Sequence, residues 1–192
     1  MFLFLGFIVA FSFWNVVLGN PDLFNAQIET YCAINNQADI ENCIAKYGYS
    51  AESAGITGEV TQTGRLLSII QNNIYVMIFT LFFSIIFGAG AIFVLAWNAS
   101  VISAAIGIFA RYQVENIPLG ILRYMIHGFP EIAAYFITAL AGGIFGIGII
   151  RNGFRDKKFL RVLENVVILL FIAIIVLLFA ALVEVYFTPL LF

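Results

Sequence analysis

The amino-acid sequence predicts an all-α, polytopic membrane protein: one membrane domain, residues 1–192, built as a bundle of five transmembrane helices. Hydrophobic residues make up 62% of the chain and charged residues only 10%, whereas about a quarter of an ordinary soluble domain is charged. The apolar residues also fall into runs that approach the roughly 20 residues an α-helix needs to cross a bilayer. The charges are segregated between these runs and form no basic face, so nucleic acid is not an expected partner.

Five apolar runs are the predicted spans. They cover residues 1–19, 73–97, 99–114, 131–150 and 162–187. The first is expected to be an uncleaved helix, because a secretory signal peptide, the competing interpretation, needs a basic region before its apolar core. In the third, only the residues from Ala99 to Ala110 separate Asn98 from Arg111, about 18 Å of helix against a hydrocarbon core of about 30 Å. This third span is therefore predicted to be short or broken.

The polar segment 20–72 is predicted to be an extracytoplasmic loop between the first two spans. It carries six acidic residues against two basic ones. Both cysteines, Cys32 and Cys43, lie in this segment, and in an oxidising compartment we expect a disulfide between them; two free thiols are the alternative. Short surface helices are also expected, including an amphipathic turn or two over 39–47, where apolar residues recur at helical spacing.

The distribution of basic residues sets the predicted orientation. Five of the nine lie in the loop 151–161, which is therefore predicted to be cytoplasmic. With five crossings, the protein is multi-pass in the cell membrane, its amino terminus is cytoplasmic, and segment 20–72 and the carboxyl terminus are extracytoplasmic. If 98–110 were instead a re-entrant loop, the basic loop and the cysteine loop would share one side, which the charge bias disfavours.

A polar cluster at the outer ends of spans 4 and 5 is the candidate site. His127, the only histidine, precedes Glu131 by four residues, and Pro130 is predicted to open the fourth span, so that His127 lies off its regular face. Glu184 lies among apolar residues near the end of span 5, where an ionisable group is costly without a partner. The candidate partners on that side are His127, Arg111 and Arg123. The alternatives are a first-turn Glu131 that serves only backbone N–H groups and an interfacial His127 without a special partner.

Small residues recur every four positions along span 4. They are Ala134, Thr138, Gly142 and Gly146. Because small residues let membrane helices approach closely, this face is predicted to pack against another helix.

No catalytic motif stands out: the sequence has no His-Glu-x-x-His, no Walker loop and no Gly-x-Ser-x-Gly. No catalytic residue and no cofactor is predicted, and an enzyme is the less favoured class. A metal site formed by His127, Glu131 and Glu184 is a weak alternative, because one histidine and two carboxylates are few ligands for tight zinc binding.

Several features taken together resemble the stage II sporulation protein M family of integral membrane proteins, over roughly residues 70–190. They are Asn72-Asn73 opening span 2, Asn98 after it, His127-Gly128-x-x-Glu131, the glycines of span 4, and Glu184 followed by Thr188-Pro189. The resemblance implies a five-span bundle with a cytoplasmic amino terminus. It also implies a membrane subunit, because in spore-forming bacteria the family member holds two cell-wall-degrading partner proteins during engulfment.

The leading functional prediction is thus a non-enzymatic integral membrane subunit or scaffold of a cell-envelope complex. Its expected partners are the lipid bilayer, other membrane or envelope proteins, and further copies of the same chain. One alternative is a transporter or channel subunit, suggested by the short third span and Asn98, since broken helices often line substrate sites. The other is an intramembrane metal-dependent hydrolase that uses His127, Glu131 and Glu184.

Overall fold

The computed structural model describes most of the chain, and its regular elements are all helices. The described residues are 2–18, 21–35, 40–47, 62–88, 91–110, 113–152 and 157–191. The α-helices in chain order are α1 (Phe2–Leu18), α2 (Asn25–Asn35), α3 (Ile40–Tyr47), α4 (Gln62–Phe87), α5 (Ala91–Ala110), α6 (Ile117–Asn152), α7 (Lys157–Leu182) and α8 (Thr188–Leu191). Single 3₁₀ turns, Pro21–Phe24 and Val114–Asn116, precede α2 and α6, and a π-helical turn, Val183–Phe187, joins α7 to α8.

Four helical stretches are long and apolar enough to cross a membrane. They are Gln62–Phe87, Ala91–Ala110, Val114–Arg151 and Lys158–Leu191. The first helix, α1, is also apolar but has only 17 residues. Over the described ranges, the prediction of an all-helical chain with membrane-spanning helices is therefore confirmed.

The break between the second and third spans lies at Gly88 and not at Asn98. Gly88 adopts a φ of +58°, the left-handed conformation that glycine enters without a steric penalty, and its N–H donates to the Ser84 carbonyl at 3.0 Å. Asn98 instead lies inside α5, whose 20 residues suit the thickness of a bilayer. The predicted bounds 73–97 and the short or broken span 99–114 are therefore wrong, because a polar residue within a helix was interpreted as its end.

The fourth span begins well before residue 131. Helix α6 runs without interruption from Ile117 through Gly128 and Pro130, so the predicted start of this span at residue 131 is wrong. Proline removes one backbone hydrogen bond, but membrane helices tolerate this where neighbouring groups compensate. At 1.5 Å per residue, the 36 residues of α6 extend over about 54 Å, so part of the helix reaches beyond a hydrocarbon core of about 30 Å.

The last span also continues past its predicted end at residue 187. Pro189 lies inside the short helix α8 instead of following the final helix. In a regular α-helix its ring would collide with the carbonyl of Val185, four residues earlier. The π-helical turn directly before it is wider, and the Thr188 N–H bonds there to the Val183 carbonyl, five residues back. The predicted loop 151–161 is shorter than expected, because α7 already begins at Lys157.

Residue contacts divide the chain into two compact units. The first comprises residues 1–69, 96–125 and 192, and the second comprises 70–95 and 126–191.

In the first unit, the C-terminal half of α5 is buried by the helices that precede it. Asn15 of α1 donates its side-chain N–H to the Ser103 carbonyl at 3.3 Å. The Ser103 hydroxyl lies 2.7 Å from the Ala99 carbonyl of its own helix and 3.2 Å from the Ile8 carbonyl of α1. Gln27 of α2 donates to the Ser100 hydroxyl at 3.3 Å. Polar side chains therefore attach both α1 and α2 to the same apolar helix.

A disulfide joins α2 to α3 within this unit, as predicted. The Cys32–Cys43 bond closes an 11-residue separation, and both sulfur-bearing residues are buried with Phe24, Ile28 and Ala104. The amphipathic segment predicted over 39–47 forms α3 from Ile40 onward. The disulfide and the helix pair together build a small apolar core against α5.

In the second unit, α6 approaches α4 at glycine positions. A Cβ atom added to Gly142 would lie 2.8 Å from the Ser84 Cβ, and one added to Gly146 would lie 2.7 Å from the Ile85 carbonyl oxygen. Ala134 and Thr138, on the same face of α6, are fully buried. Because the glycines lack a side chain, the two backbones come closer than any larger residue would allow.

Candidate functional site

Three ionisable side chains follow one another along a single face of α6. His127, Glu131 and Tyr135 are spaced four residues apart, and because the helix is continuous through Pro130 they share one face. The prediction that Pro130 starts the helix and displaces His127 from this face is wrong. Glu131 is also far from the first turn of α6, so it does not serve unpaired N–H groups of a helix start.

Asn73 of α4 bridges two of these side chains. Its Nδ2 donates to Glu131 Oε1 at 2.6 Å, and the Tyr135 hydroxyl donates to Asn73 Oδ1 at 3.0 Å. Asn73 is 5% exposed and Tyr135 is 1% exposed. A side-chain amide carries both a donor and an acceptor, so this one residue satisfies a carboxyl group and a phenol at once. The bridge attaches α4 to α6 in the second unit.

Glu184 lies near the same groups. It acts electrostatically on both Glu131 and Tyr135. The structure thus brings together two acidic residues that are more than fifty positions apart in the sequence. Glu184 belongs to the π-helical turn, a rare conformation that is found frequently at functional sites.

His127 contacts the residue that follows the π-helical turn. Its Nδ1 lies 3.3 Å from the Thr188 hydroxyl, which donates to the Val183 carbonyl at 3.2 Å. A threonine hydroxyl has a single proton, so both contacts are satisfied when Nδ1 of His127 carries a proton and donates. His127 is 8% exposed, and its contact joins α6 to α8.

Arginine was predicted as a counter-charge for Glu184. The structure places the Arg123 guanidinium over the Phe109 ring, 5.1 Å from its centroid, in the first unit. Arg111 lies outside the described residues.

We call the group of side chains in the second unit the buried polar cluster. Its members are Asn73, His127, Glu131, Tyr135, Glu184 and Thr188. They come from α4, α6, the π-helical turn and α8, so their main effect is to hold these elements together. Within the part of the chain that the structure describes, no three His, Cys, Asp or Glu side chains could hold a metal ion. The three residues His127, Glu131 and Glu184 are not among such groups.

Three members of the cluster were not assigned a role from the sequence. In the sequence, Asn73 and Thr188 stand out only as parts of motifs, and Tyr135 belongs to no motif. The spacing of Tyr135, four residues after Glu131, is the one signal that could have identified it. The role of Asn73 depends on which helix packs against α6, which the sequence does not give.

The family model described as Stage II sporulation protein M matches residues 1–189. The chain belongs to this family. The matched range also covers the disulfide-bearing segment, which lies before the motifs between 70 and 190. Comparisons with curated proteins and with solved structures gave no significant match.

Proposed function

We propose that this member of the stage II sporulation protein M family is a non-enzymatic integral membrane subunit or scaffold of a cell-envelope complex. The observation that carries the proposal is the buried polar cluster. Its hydrogen bonds run from one helix to another, from Asn73 to Glu131 and from His127 to Thr188. Groups used in this way fix the arrangement of helices, which is what a subunit needs to present a constant surface to partners.

The outward faces of the helices suit contacts within the membrane. Large apolar side chains are exposed along α4 and α7. They include Ile78, Phe79, Phe82, Phe171, Ile175 and Phe179. Such faces are compatible with lipid and equally with the helices of other membrane proteins, since lipid tails are as apolar as these side chains.

The proposed topology has five crossings, with α1 as the first and the amino terminus in the cytoplasm. The Cys32–Cys43 disulfide supports an oxidising, extracytoplasmic location for α2 and α3. Exposed basic residues, Arg151 on α6 and Lys158 and Arg161 on α7, support a cytoplasmic location for the connection between these helices. The carboxyl terminus then lies outside the cell.

Single cysteines introduced into a cysteine-free variant test this topology. A reagent that does not cross membranes should label a cysteine beside α3 in intact cells and one beside Arg151 only after permeabilisation. Labelling in the reverse order would overturn the orientation.

Recovery of partners from native membranes tests the proposed role. The tagged chain is crosslinked in membranes and purified in a mild detergent, and the co-purifying envelope proteins are identified by mass spectrometry. Glu184→Gln is expected to reduce their recovery and the thermal stability of the chain, because it alters the cluster. Glu164→Gln is the matched control, since Glu164 is an exposed residue of the preceding helix α7.

Two outcomes would contradict the proposal. One is full tolerance of Glu184→Gln in both measurements. The other is solute or ion flux through proteoliposomes that contain the purified chain alone, which would favour the transporter class.

A further inference from the structure

A group of basic and aromatic side chains in the first unit shares no residue with the buried polar cluster. We call it the basic aromatic patch. Its members are Tyr31, Lys46, Tyr47, Arg65, Phe109, Arg123 and Tyr124. It contains three cations and four aromatic rings from five different helices, so the fold assembles it from distant parts of the sequence.

The aromatic rings form the framework of the patch. The Tyr31 and Tyr47 rings meet edge to face with centroids 6.4 Å apart, and Phe109 and Tyr124 do so at 6.5 Å. A hydrogen bond between the side chains of Tyr31 and Tyr124 connects the two pairs. Edge-to-face rings resist rearrangement, so the cations beside them are held on a defined surface.

The cations converge on this framework. The Lys46 ammonium lies 5.3 Å from the centroid of the Tyr47 ring, and the Arg123 guanidinium lies 5.1 Å from that of Phe109. Arg65 and Arg123 both act electrostatically on the phenol of Tyr31. Two guanidinium groups from different helices are therefore close enough to influence one hydroxyl group.

The positive charge of the patch contrasts with the acidic sequence around it. The segment 20–72 holds six acidic and only two basic residues, and those two are Lys46 and Arg65. Both belong to the patch. The surrounding segment is acidic, so the local concentration of positive charge is not a general property of this part of the chain.

The patch lies at the ends of membrane-spanning helices. Arg65 is in the first turn of α4, and Phe109 is the second-last residue of α5. Tyrosine, lysine and arginine are favoured at such helix ends because the membrane-water interface lies there. In a bilayer crossed by these helices, the lipid phosphate groups would lie near the same helix ends.

Tyr31 adds a hydrogen-bond donor. Burial, with a smaller contribution from Tyr47, raises the pKa of the Tyr31 phenol above its ordinary value, against the opposing effects of Tyr124 and the two arginines. The phenol therefore keeps its proton at physiological pH. A protonated phenol beside two guanidinium groups offers donors that match the oxygens of a phosphate.

We propose that the basic aromatic patch binds a phosphate group, supplied in the membrane by the headgroup of an anionic lipid. Arg65 and Arg123 clamp the phosphate oxygens, and Tyr31 donates a hydrogen bond from its hydroxyl. Lys46 adds positive charge at the edge. The patch thereby ties the disulfide-linked helices α2 and α3 to the bilayer surface.

Ligand-dependent thermal unfolding of the full chain in detergent tests this site. Phosphatidylglycerol, phosphatidylcholine and inorganic phosphate are titrated separately, and the apparent affinity is taken from the shift of the unfolding temperature. Phosphatidylglycerol is expected to bind more tightly than phosphatidylcholine. Arg65→Ala and Arg123→Ala should each weaken its binding about tenfold or more, the loss expected for a charge-assisted hydrogen bond.

Two further variants keep the test interpretable. Arg123→Lys retains the charge but loses the planar fork, and it should weaken binding even if Arg123→Ala fails to fold. Arg151→Ala removes an exposed arginine at the far end of α6 and should leave the affinity unchanged.

The outcomes separate the two sources of phosphate. Arginine-dependent stabilisation by the lipid supports the proposal as stated, and arginine-dependent stabilisation by inorganic phosphate alone supports the site but refutes the lipid as its ligand. Equal stabilisation of the wild type, Arg65→Ala and Arg123→Lys by phosphatidylglycerol would overturn the site itself.

Discussion

The packing of α6 on α4 makes the substitution Gly146→Ala a sensitive probe of the second unit. The added methyl group would lie 2.7 Å from the Ile85 carbonyl oxygen, whereas ordinary contact begins at 3.4 Å. The obstructing atom belongs to the backbone, so no side chain can rotate away. The two helices must separate locally by about 0.7 Å, the difference between these distances.

The expected cost follows from two opposing terms. Overpacking a close contact destabilises a protein by about 1–3 kcal/mol. Replacing glycine by alanine inside a helix stabilises the helix by up to about 1 kcal/mol, because alanine has the higher helix propensity. Because the obstructing atom is part of the backbone, the overpacking cost should fall in the upper part of its range, about 2–3 kcal/mol, and Gly146→Ala should lower the free energy of unfolding by about 1–2 kcal/mol.

Gly143→Ala is the matched control, because it adds the same methyl group to the same helix. Its nearest neighbour would be the Ser84 hydroxyl oxygen at 3.8 Å, an ordinary contact. Unfolding of the purified protein by a denaturing detergent, followed by circular dichroism, compares the two variants with the wild type. Gly143→Ala should equal or exceed the wild type in stability, and equal stability of the two variants would refute the argument from close approach.

Three further predictions concern other parts of the fold. Replacing Cys32 and Cys43 by alanine should cost about 3 kcal/mol by the loop-closure estimate, seen as earlier unfolding of the non-reduced protein; no change would mean that packing alone holds α2 to α3. Asn73→Leu removes the donor to Glu131 and should cost about 1.5–3 kcal/mol, measured by the same detergent unfolding, and a neutral result would show that this hydrogen bond adds nothing. The Tyr31 phenol has a raised pKa and should ionise only above pH 10, where the difference in ultraviolet absorbance between the wild type and Tyr31→Phe should begin to grow. Above pH 10 the unfolded state loses this proton more readily than the folded state does, so the free energy of unfolding should fall as the pH rises.

The sequence indicated the membrane helices and the disulfide because these depend on local composition. Apolar runs near bilayer length and two cysteines in one acidic segment require no knowledge of which helices pack together. The ends of the helices are harder to predict from the sequence. Asn98 was interpreted as a break, yet a single polar residue can remain inside a helix when neighbours accommodate it, whereas the break at Gly88 lies within an apolar stretch.

The contacts of the candidate site depend on tertiary structure. Glu131 and Glu184 could be selected because ionisable residues are rare in apolar runs. The side chains around these two residues could not be predicted, because Asn73 reaches Glu131 only where α4 packs against α6. The π-helical turn was equally hidden, because it arises from Pro189 acting on the residues before it within a helix that continues.

That turn has a consequence for how the chain tolerates insertions and deletions. A π-helical turn is one residue longer than the α-helical turn it replaces, and one residue corresponds to about 100° of rotation about a helix axis. Deleting one residue between Leu182 and Thr188 would remove the extra residue, bring the Pro189 ring against the preceding turn, and rotate either Glu184 or Thr188 away from α6. An alignment gap of a single position in this stretch would therefore mark relatives in which the final helix meets its neighbours through a different set of side chains.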